Sequence, residues 1–285
     1  MDKNNVNMQE ATNSSPYKIS YPKGGKTNIL ISIPHCGTAF PNEIIDHYDQ
    51  SKIPKPDDTD WFLEKLYDFA NELGITVIEA VYSRWVIDLN RTPQNKSLYN
   101  DGRIITSLCP VTDFLGEAIY TSSNDEPNKE EVQRRLQVYH EPYHEKIDLI
   151  LNELKNEFGN VVFWDAHSIR RNVNTIQKND FPDLILGDND GKTASLKIIE
   201  TTLNSLKQSK LSVEHNHPFK GGFLTRSKGD PENNIHALQL EMSKDLYMSN
   251  NEMDYDNSKA EEIKRTLIKT FKNLNTQIAN LNKSN

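Results

Sequence analysis

The chain has 285 residues, of which 33 are basic and 41 acidic, and its net charge is −8. This balance argues against a nucleic-acid backbone as the main partner, because phosphate binding needs clustered lysines and arginines. Two cysteines, Cys36 and Cys109, cannot form a disulfide framework, and no run approaches the ~20 apolar residues of a membrane helix. The polar N-terminus does not resemble a signal peptide. We therefore expect a soluble, cytoplasmic protein with no nucleic-acid or membrane partner.

The length allows a large core, and at this level one α/β domain is as plausible as two domains. Residues 1–16 lack hydrophobic periodicity, which predicts a disordered N-terminal tail. The sequence leaves the oligomeric state open.

The first predicted element is a strand at residues 28–33, an apolar run typical of a strand buried on both faces. Pro34 and Gly37 then enclose His35 in a tight turn. Ligands of open α/β sheets bind outside the carboxyl ends of the strands, so His35 is a candidate site residue.

A helix from about Asp60 to Leu73 is predicted by an apolar stripe and by a C-terminal stop at Gly74. The segment before it contains three aspartates in four residues, and Asp58 or Thr59 is a natural N-cap. One helix end does not require so many carboxylates. One of these aspartates is therefore a candidate metal ligand.

A strand at residues 76–82 leads into a basic segment. Arg84 precedes an apolar stretch, and Asn90 and Arg91 follow it. Guanidinium groups bind carboxylates through paired hydrogen bonds, and a neighbouring amide adds an oriented dipole. We interpret the segment as a carboxylate clamp rather than a surface salt-bridge pair.

Residues 128–158 form a long, charged helical stretch with a predicted break near Pro142. The stretch contains His140-Glu141-Pro142-Tyr143-His144, a literal match to the H-E-x-x-H zinc motif. That motif needs an unbroken helical turn to place both imidazoles on one face, and Pro142 interrupts such a turn. We expect no metal site here, and a peptidase that uses His140 and His144 is kept as a rival hypothesis.

Residues 161–164 predict a second strand buried on both faces, followed at once by Asp165, His167 and Ser168. A single histidine in such a position is more often a hydrogen-bonded core residue than a ligand. Two central strands that each deliver a histidine, His35 and His167, at the same edge favour a shared metal ion.

The C-terminal part predicts a strand at 184–187, a helix at 192–207, a short strand that ends in Arg226, a strand at 235–242 and a helix at 260–281. His215 and His217 are possible ligands, although Pro218 makes a loop at the rim equally plausible. Glu241, at the end of its strand, is a candidate general base.

The candidate residues together predict metal-assisted hydrolysis of an amide. His35, Asp60 and His167 supply three ligands and leave one position open, which suits catalytic Zn²⁺ or another divalent ion. Glu241 would take a proton from the attacking water. The basic group would hold an acidic substrate and offset oxyanion charge; its members are Arg84, Asn90, Arg91 and Arg226.

Several segments resemble the N-formylglutamate amidohydrolases, in the order found in that family and over about residues 28–248. They are Ile33-Pro34-His35-Cys36-Gly37, Asp58-Thr59-Asp60-Trp61, Val86-Ile87-Asp88-Leu89-Asn90-Arg91, Leu108-Cys109-Pro110, Asp165-Ala166-His167-Ser168, Phe219-Lys220-Gly221-Gly222-Phe223 and Ala237-Leu238-Gln239-Leu240-Glu241. The resemblance implies one catalytic domain over residues 17–285. It also implies a zinc-dependent exopeptidase-like α/β fold, with a mixed, mostly parallel sheet flanked by helices, similar to zinc carboxypeptidases and aspartoacylase.

The resemblance also implies roles for individual residues. Asn90 and Arg91 would bind substrate carboxylate, His167 would bind zinc, and Glu241 would activate water. Arg84 resembles the arginine that polarises the scissile carbonyl. The implied reaction is hydrolysis of N-formyl-L-glutamate to formate and L-glutamate, the closing step of one histidine-degradation route. Alternatives are a deacylase of another N-acyl acidic amino acid and a catalytically silent binder of acidic amino acids.

The chain departs from its relatives at three positions. Their first two ligands come from one H-x-x-E segment, whereas here Thr38 is the fourth residue of the segment that begins with His35. The middle ligand is therefore inferred to be Asp60, with Asp58 as the alternative. Cys36 replaces the usual serine, and Phe223 replaces the usual tyrosine after the two glycines.

Overall fold

The computed structural model describes residues 15–96 and 106–283, and a seven-stranded sheet forms its centre. The strands are β1 (Tyr17–Ser20), β2 (Ile29–Ile33), β3 (Thr76–Ala80), β4 (Val161–Ile169), β5 (Leu184–Gly187), β6 (Val213–His215) and β7 (Ile235–Ser243), in the spatial order β1-β3-β2-β4-β7-β5-β6. Strands β3, β2, β4 and β7 run parallel, whereas β1 is antiparallel to β3 and β5 is antiparallel to β7. The predicted mixed, mostly parallel sheet is confirmed. Residues 1–14 of the predicted tail lie outside the described residues.

Helices cover both faces of the sheet. The α-helices are α1 (Leu63–Leu66), α2 (Lys129–Arg135), α3 (Glu141–Phe158), α4 (Leu196–Leu206), α5 (Phe223–Lys228) and α6 (Asn257–Lys283). Short 3₁₀ turns lie at Ile45–His47, Asp68–Leu73, Ser123–Asp125, Pro231–Asn233 and Lys244–Leu246, and a π-helix covers Leu136–His140. Among the described residues, no helix combines the length and the apolar character needed to span a bilayer.

Side-chain alternation along β4 assigns the two sides of the sheet. Trp164 packs on Phe271 of α6, with ring centroids 4.9 Å apart, whereas Phe163 belongs to the core beneath α3. Successive strand residues point to opposite faces, so Asp165 and His167 lie on the side of α3 with Phe163. The same alternation puts Glu241 of β7 on that side.

The parallel register brings the polar ends of the central strands together. Ser32 of β2 pairs with Asp165 of β4, and His167 of β4 pairs with Glu241 of β7. His35 follows β2 by two residues. The carboxyl ends of three neighbouring strands therefore deliver candidate site residues to one edge of the sheet.

The predicted helix that ends at Leu73 is confirmed only in part, with its stop at Gly74 but without one continuous helix. The segment contains α1, which has four residues, and the 3₁₀ turn at Asp68–Leu73. Neither Asp58 nor Thr59 caps a helix, because the N-cap is Phe62, in a left-handed conformation (φ 61°) without a side-chain cap. The aspartates lie in turns held against the site, where the amide of Asp60 donates to the carbonyl of His35 over 2.9 Å.

The predicted strand ending in Arg226 is wrong, because Phe223–Lys228 forms helix α5. A short helix needs partners for its first amide groups. One of them, the amide of Leu224, donates to Oδ1 of Asn90 over 2.8 Å. A contact from a distant segment therefore stabilises a helix that local sequence does not indicate.

The interruption near Pro142 is present, but the helical path continues through it. Helix α2 ends at Arg135, the π-helix follows, and α3 begins at Glu141 with Pro142 in its first turn. The expectation that Pro142 separates the two imidazoles is wrong, since the rings of His140 and His144 stack with centroids 4.2 Å apart.

Candidate metal centre and active site

His35, Asp60 and His167 form a buried group at the carboxyl edge of the sheet. Oδ2 of Asp60 lies 3.8 Å from Nδ1 of His35 and 3.3 Å from Nδ1 of His167. One ligand atom from each side chain lies within 4.8 Å of the others. Within residues 15–96 and 106–283, this is the one set of three His, Cys, Asp or Glu side chains close enough to share an ion.

Close backbone packing fixes the turn that presents His35. A Cβ atom on Gly37 would lie 2.2 Å from the carbonyl oxygen of Tyr82, so only glycine fits this position without a shift. The amide hydrogen bond from Asp60 to the His35 carbonyl ties the second candidate ligand to the same turn. Two of the three side chains are thus positioned by one local structure.

Each histidine has a carboxylate at its second nitrogen. Nε2 of His35 lies 2.8 Å from Oδ1 of Asp88, and Nε2 of His167 lies 3.0 Å from Oδ1 of Asp165. Thr225 of α5 donates to the other oxygen of Asp165 over 2.9 Å. The Asp88 contact favours the His35 tautomer with Nε2 protonated, which leaves Nδ1 of that ring as the free lone pair. At His167, Asp165 and Asp60 place a carboxylate beside each ring nitrogen.

The electrostatics of the two histidines differ. Burial, aided by the charge of Arg84, lowers the pKa of His35 and keeps this imidazole neutral. Burial would also lower the pKa of His167, but the carboxylates of Asp165 and Asp60 outweigh it and raise that pKa well above its usual value. A cation beside Asp60 would replace this proton, because metal ligation requires the neutral ring.

The donor set fits a divalent metal ion. Oδ2 of Asp60 is buried and, among the described residues, makes no hydrogen bond, although Nδ1 of His167 lies 3.3 Å away. A buried carboxylate oxygen without a partner is costly, and an ion at this point would satisfy it. Two imidazole nitrogens and one carboxylate oxygen, with an open fourth position, match the ligand set of catalytic zinc.

Asp58, the alternative ligand, is engaged elsewhere. Its carboxylate accepts hydrogen bonds from Nε1 of Trp85 over 3.1 Å and from the backbone amide of Phe114 over 3.0 Å. Burial raises the pKa of Asp58 to about 6. The structure therefore places Asp60, and not Asp58, beside the two histidines.

Asp88 also orients the basic side of the site. Nη2 of Arg84 donates to Oδ2 of Asp88 over 2.6 Å, and Nε of Arg91 lies 3.6 Å from the same oxygen. Burial would raise the pKa of Asp88, but Arg84 and His35 outweigh it and hold that pKa well below its usual value. The guanidinium of Arg84 lies over the ring of Phe114 at 4.7 Å, and in the described part of the chain its buried Nε has no hydrogen-bond acceptor.

Asn90 lies between the histidine centre and helix α5. Its Oδ1 accepts from Leu224, and its Nδ2 lies 3.0 Å from Nε2 of His167. A Cβ atom on Gly222 would lie 2.3 Å from Nδ2 of Asn90, so the glycine permits the close approach. The predicted clamp residues Arg84, Asn90 and Arg91 thus lie next to the candidate ligands.

Glu241 is the neighbour of His167 in the adjacent strand. The two residues pair directly in the parallel ladder between β4 and β7. Burial raises the pKa of Glu241 to about 8, while the nearby His167 lowers it. Nε2 of Gln239 donates to Oε2 over 3.4 Å. A carboxyl group with a pKa in this range is suited to accept and return a proton near neutral pH.

The remaining candidates lie outside the ligand group. Arg226 is on α5, where its Nε donates to the carbonyl of Gly221 over 2.8 Å. Nε2 of His215 lies 2.7 Å from Oδ2 of Asp188, and His217 is exposed. His140 and His144 contact backbone carbonyls of Arg91 and Leu89 at 2.9 and 2.8 Å.

Asp88 and Asp165 are the residues whose roles sequence reasoning missed. Asp165 precedes His167 by two residues on the same face of a strand, and this spacing is a usable signal for a supporting carboxylate. Asp88 is separated from His35 by 53 positions. No local pattern connects that pair, so only the fold reveals it.

The family model for N-formylglutamate amidohydrolase matches residues 27–248. The chain belongs to this family. A Pseudomonas putida protein named N-formylglutamate deformylase is 37% identical over 230 residues, which is 80% of this chain and 84% of that protein. A Pseudomonas aeruginosa protein of the same name is 39% identical over 228 residues, covering 79% and 84%.

This N-formylglutamate amidohydrolase family member also shares its fold with a solved structure. The crystal structure of a protein from Ralstonia eutropha JMP134, named N-formylglutamate amidohydrolase, superimposes with a TM-score of 0.74 at 22% identity. The match covers 95% of this chain and 98% of that one. The resemblance predicted from sequence segments is confirmed, and the chain is an enzyme of the amide-hydrolysing class.

Proposed function

We propose that this enzyme hydrolyses N-formyl-L-glutamate to formate and L-glutamate with a divalent metal ion, zinc, held by His35, Asp60 and His167. The names of the two Pseudomonas relatives support the substrate. The observation that carries the metal assignment is the buried Oδ2 of Asp60, which makes no hydrogen bond among the described residues and lies 3.8 and 3.3 Å from Nδ1 of His35 and His167.

In this proposal the metal ion and the residues around it have different roles. When bound, a divalent ion such as Zn²⁺ polarises a carbonyl and lowers the pKa of a coordinated water to about 7. Asp88 holds the His35 imidazole in the tautomer that leaves Nδ1 for the ion, and Asp165, 3.0 Å from Nε2 of His167, supplies negative charge beside the second ring.

Glu241 serves as the general base and then as the general acid. It takes a proton from the attacking water, whose oxygen bonds to the formyl carbon. When the carbon–nitrogen bond breaks, Glu241 passes that proton to the leaving amine of glutamate. The support for this role is its place beside His167 and its raised pKa.

Arg84 stabilises the charge that develops on the formyl oxygen. Asp88 and the ring of Phe114 hold its guanidinium, and its Nε is buried with no acceptor among the described residues. A donor already oriented in a site that excludes water needs no reorganisation during the reaction.

Asn90, Arg91 and Arg226 bind the carboxylates of the substrate. Asn90 and Arg91 belong to the segment that follows Asp88, and the resemblance assigns that segment to carboxylate binding. Arg226 lies on α5, whose first turn contacts Asn90. A dicarboxylate such as glutamate presents two groups that guanidinium forks bind with two hydrogen bonds each.

The proposal extends to the biological setting. Glutamate as product suits the closing step of a histidine-degradation route, as the resemblance implies. Two free thiols, Cys36 and Cys109, fit a reducing cytoplasm.

Formate release by the purified enzyme tests the proposal. We expect turnover of N-formyl-L-glutamate that is lost on chelation and restored by Zn²⁺, with weaker activity on N-acetyl-L-glutamate and N-formyl-L-glutamine. Higher activity on the acetyl compound would indicate a related deacylase instead. Binding of L-glutamate without stoichiometric metal in elemental analysis, and without turnover, would indicate a silent binder and contradict the proposal.

A further inference from the structure

The H-E-x-x-H segment has no role in the reaction described above, yet both of its histidines are buried. His140 is 2% exposed and His144 is 9% exposed. Their rings stack at an interplanar angle of 17°. Burial of two polar rings against each other calls for hydrogen-bond partners elsewhere.

Those partners are backbone carbonyls on either side of Asn90. Nε2 of His144 lies 2.8 Å from the carbonyl oxygen of Leu89, and Nε2 of His140 lies 2.9 Å from that of Arg91. A carbonyl oxygen only accepts hydrogen bonds, so each imidazole donates from Nε2. Burial lowers the pKa of both rings, which agrees with neutral donors.

A π-helix ends at His140, and His144 lies one turn later in α3. Pro142 lacks an amide donor and would crowd the carbonyl of Val138 in a regular α-helix. The wider turn at Leu136–His140 accommodates the proline at the start of α3, and the helix continues with His140 and His144 on one face. Such local insertions are frequent at functional sites.

The segment around Asn90 is therefore held from two directions. The histidine pair fixes its main chain, and the first turn of α5 fixes its side chain through the amide of Leu224. The ring of Phe223, the first residue of α5, packs against the ring of His144, with centroids 5.3 Å apart. Lys228, at the end of α5, links this helix to α3 by donating to the carbonyl oxygen of His144 and to the carboxylate of Asp148.

We propose that His140 and His144 are positioning residues that clamp the main chain of Leu89–Arg91 and so aim Asn90 and Arg91 at the substrate carboxylate. This inference rests on the proposed function of that segment. The same contacts engage the Nε2 atoms of both histidines with backbone carbonyls, so these atoms are not available to a metal ion.

Leucine and glutamine substitutions at each histidine test the clamp. Leucine keeps apolar volume but removes the donor, whereas glutamine keeps an N–H group at similar reach. We expect His140→Leu and His144→Leu to raise KM for N-formyl-L-glutamate about three- to tenfold, with stoichiometric zinc retained. Glutamine at the same positions should recover most of the wild-type KM.

Glu141→Gln is the matched control, because Glu141 is exposed between the two histidines. In a zincin-type peptidase this glutamate is the base, and its loss abolishes activity. The clamp predicts wild-type KM, kcat and zinc content for Glu141→Gln. Loss of turnover in this variant, together with loss of zinc from both leucine variants, would overturn the proposal.

Hydrogen exchange followed by mass spectrometry gives a readout that does not depend on the substrate. The amides of Asn90 and Arg91 both donate to Asp88, over 2.9 and 3.1 Å. The clamp predicts faster exchange over residues 86–91 in the leucine variants, with unchanged exchange in β4. Wild-type exchange and wild-type KM in both variants would contradict it. If the wild-type enzyme fails to hydrolyse N-formyl-L-glutamate, the exchange result still decides the clamp.

A second pair of variants covers the case in which leucine prevents folding. Asparagine is polar like glutamine but too short to reach the carbonyls. The clamp predicts a raised KM and faster exchange in His140→Asn and His144→Asn, and near-wild-type values in the glutamine variants. If the asparagine and glutamine variants give the same KM and the same exchange, the proposal is overturned.

Discussion

At the scale of single residues, each of the two candidate histidine ligands has its own neighbouring carboxylate. Asp88 contacts His35, and Asp165 contacts His167. Each carboxylate is in turn held by a second group, Arg84 in one case and Thr225 in the other. The orientation of the candidate ligands therefore depends on residues outside the candidate ligand set.

Replacement of Asp165 by asparagine tests this support. Asparagine preserves the shape and the contact with Thr225 but removes the negative charge beside His167. We expect zinc affinity to fall about 10- to 100-fold, measured by competition with a chromophoric chelator. Asp68→Asn, at an exposed aspartate that pairs with Lys264, is the control. Equal affinity in wild type and Asp165→Asn would contradict the assigned role.

Glu241, the proposed general base, is a buried carboxyl group whose ionisation is linked to the stability of the protein. Its pKa is about 8 in the folded protein, against an ordinary value of 4.5. Between these two values the unfolded chain loses the proton while the folded chain retains it. The stability that the protonated group contributes is therefore present below pH 4.5 and is lost as the pH rises through 8.

We accordingly expect Glu241→Gln to have a higher Tm than wild type in the metal-free protein at pH 8, by roughly 10 °C. The difference should shrink toward pH 5, where Glu241 is protonated in the folded wild type. Thermal scans in chelator across this range measure the difference. A Tm gap that does not vary with pH would show that Glu241 does not titrate as described.

At the scale of secondary structure, the central strands could be predicted and the short helices could not. Long apolar runs at residues 28–33 and 161–164 specify buried strands on their own, and their adjacency then places His35 and His167 together. Helix α5 and the turns around Asp60 depend on contacts with Asn90 and His35. Local sequence patterns do not indicate contacts with distant segments, and they therefore predict a strand in place of α5 and a capped helix in place of the turns.

The approach of α5 to Asn90 gives a prediction at this scale. Gly222 has φ −84°, which alanine tolerates, but its Cβ would lie 2.3 Å from the Asn90 amide. Displacement of Asn90 should lower kcat/KM about 10- to 100-fold with little change in Tm. Gly24→Ala, where a Cβ meets nothing within 4 Å, is the matched control. Wild-type kinetics in Gly222→Ala would mean that the contact is not functional.

At the scale of the whole molecule, the candidate centre joins segments that are far apart in the chain. His35 lies in the turn after β2, Asp60 in the turns before α1 and His167 in β4, and each segment packs against a large core. An ion bound to all three stabilises only the folded chain, because the unfolded chain does not hold the ligands together.

Removal of the metal should therefore lower Tm substantially. An ion at 1,000 times its Kd contributes about 4 kcal/mol, which corresponds to a fall of about 10 °C on chelation for a domain of this size. Differential scanning calorimetry with and without chelator measures the shift. Asp60→Asn should show no rise in Tm when Zn²⁺ is added. A zinc-dependent rise equal to that of wild type would exclude Asp60 as a ligand.

Anomalous diffraction at the zinc absorption edge, from crystals of the zinc-loaded protein, tests the central claim most directly. The account predicts one strong peak about 2.0–2.2 Å from Nδ1 of His35, Nδ1 of His167 and a carboxylate oxygen of Asp60. A peak bound instead by His140 and His144, or no peak in contact with both His35 and His167, would contradict it.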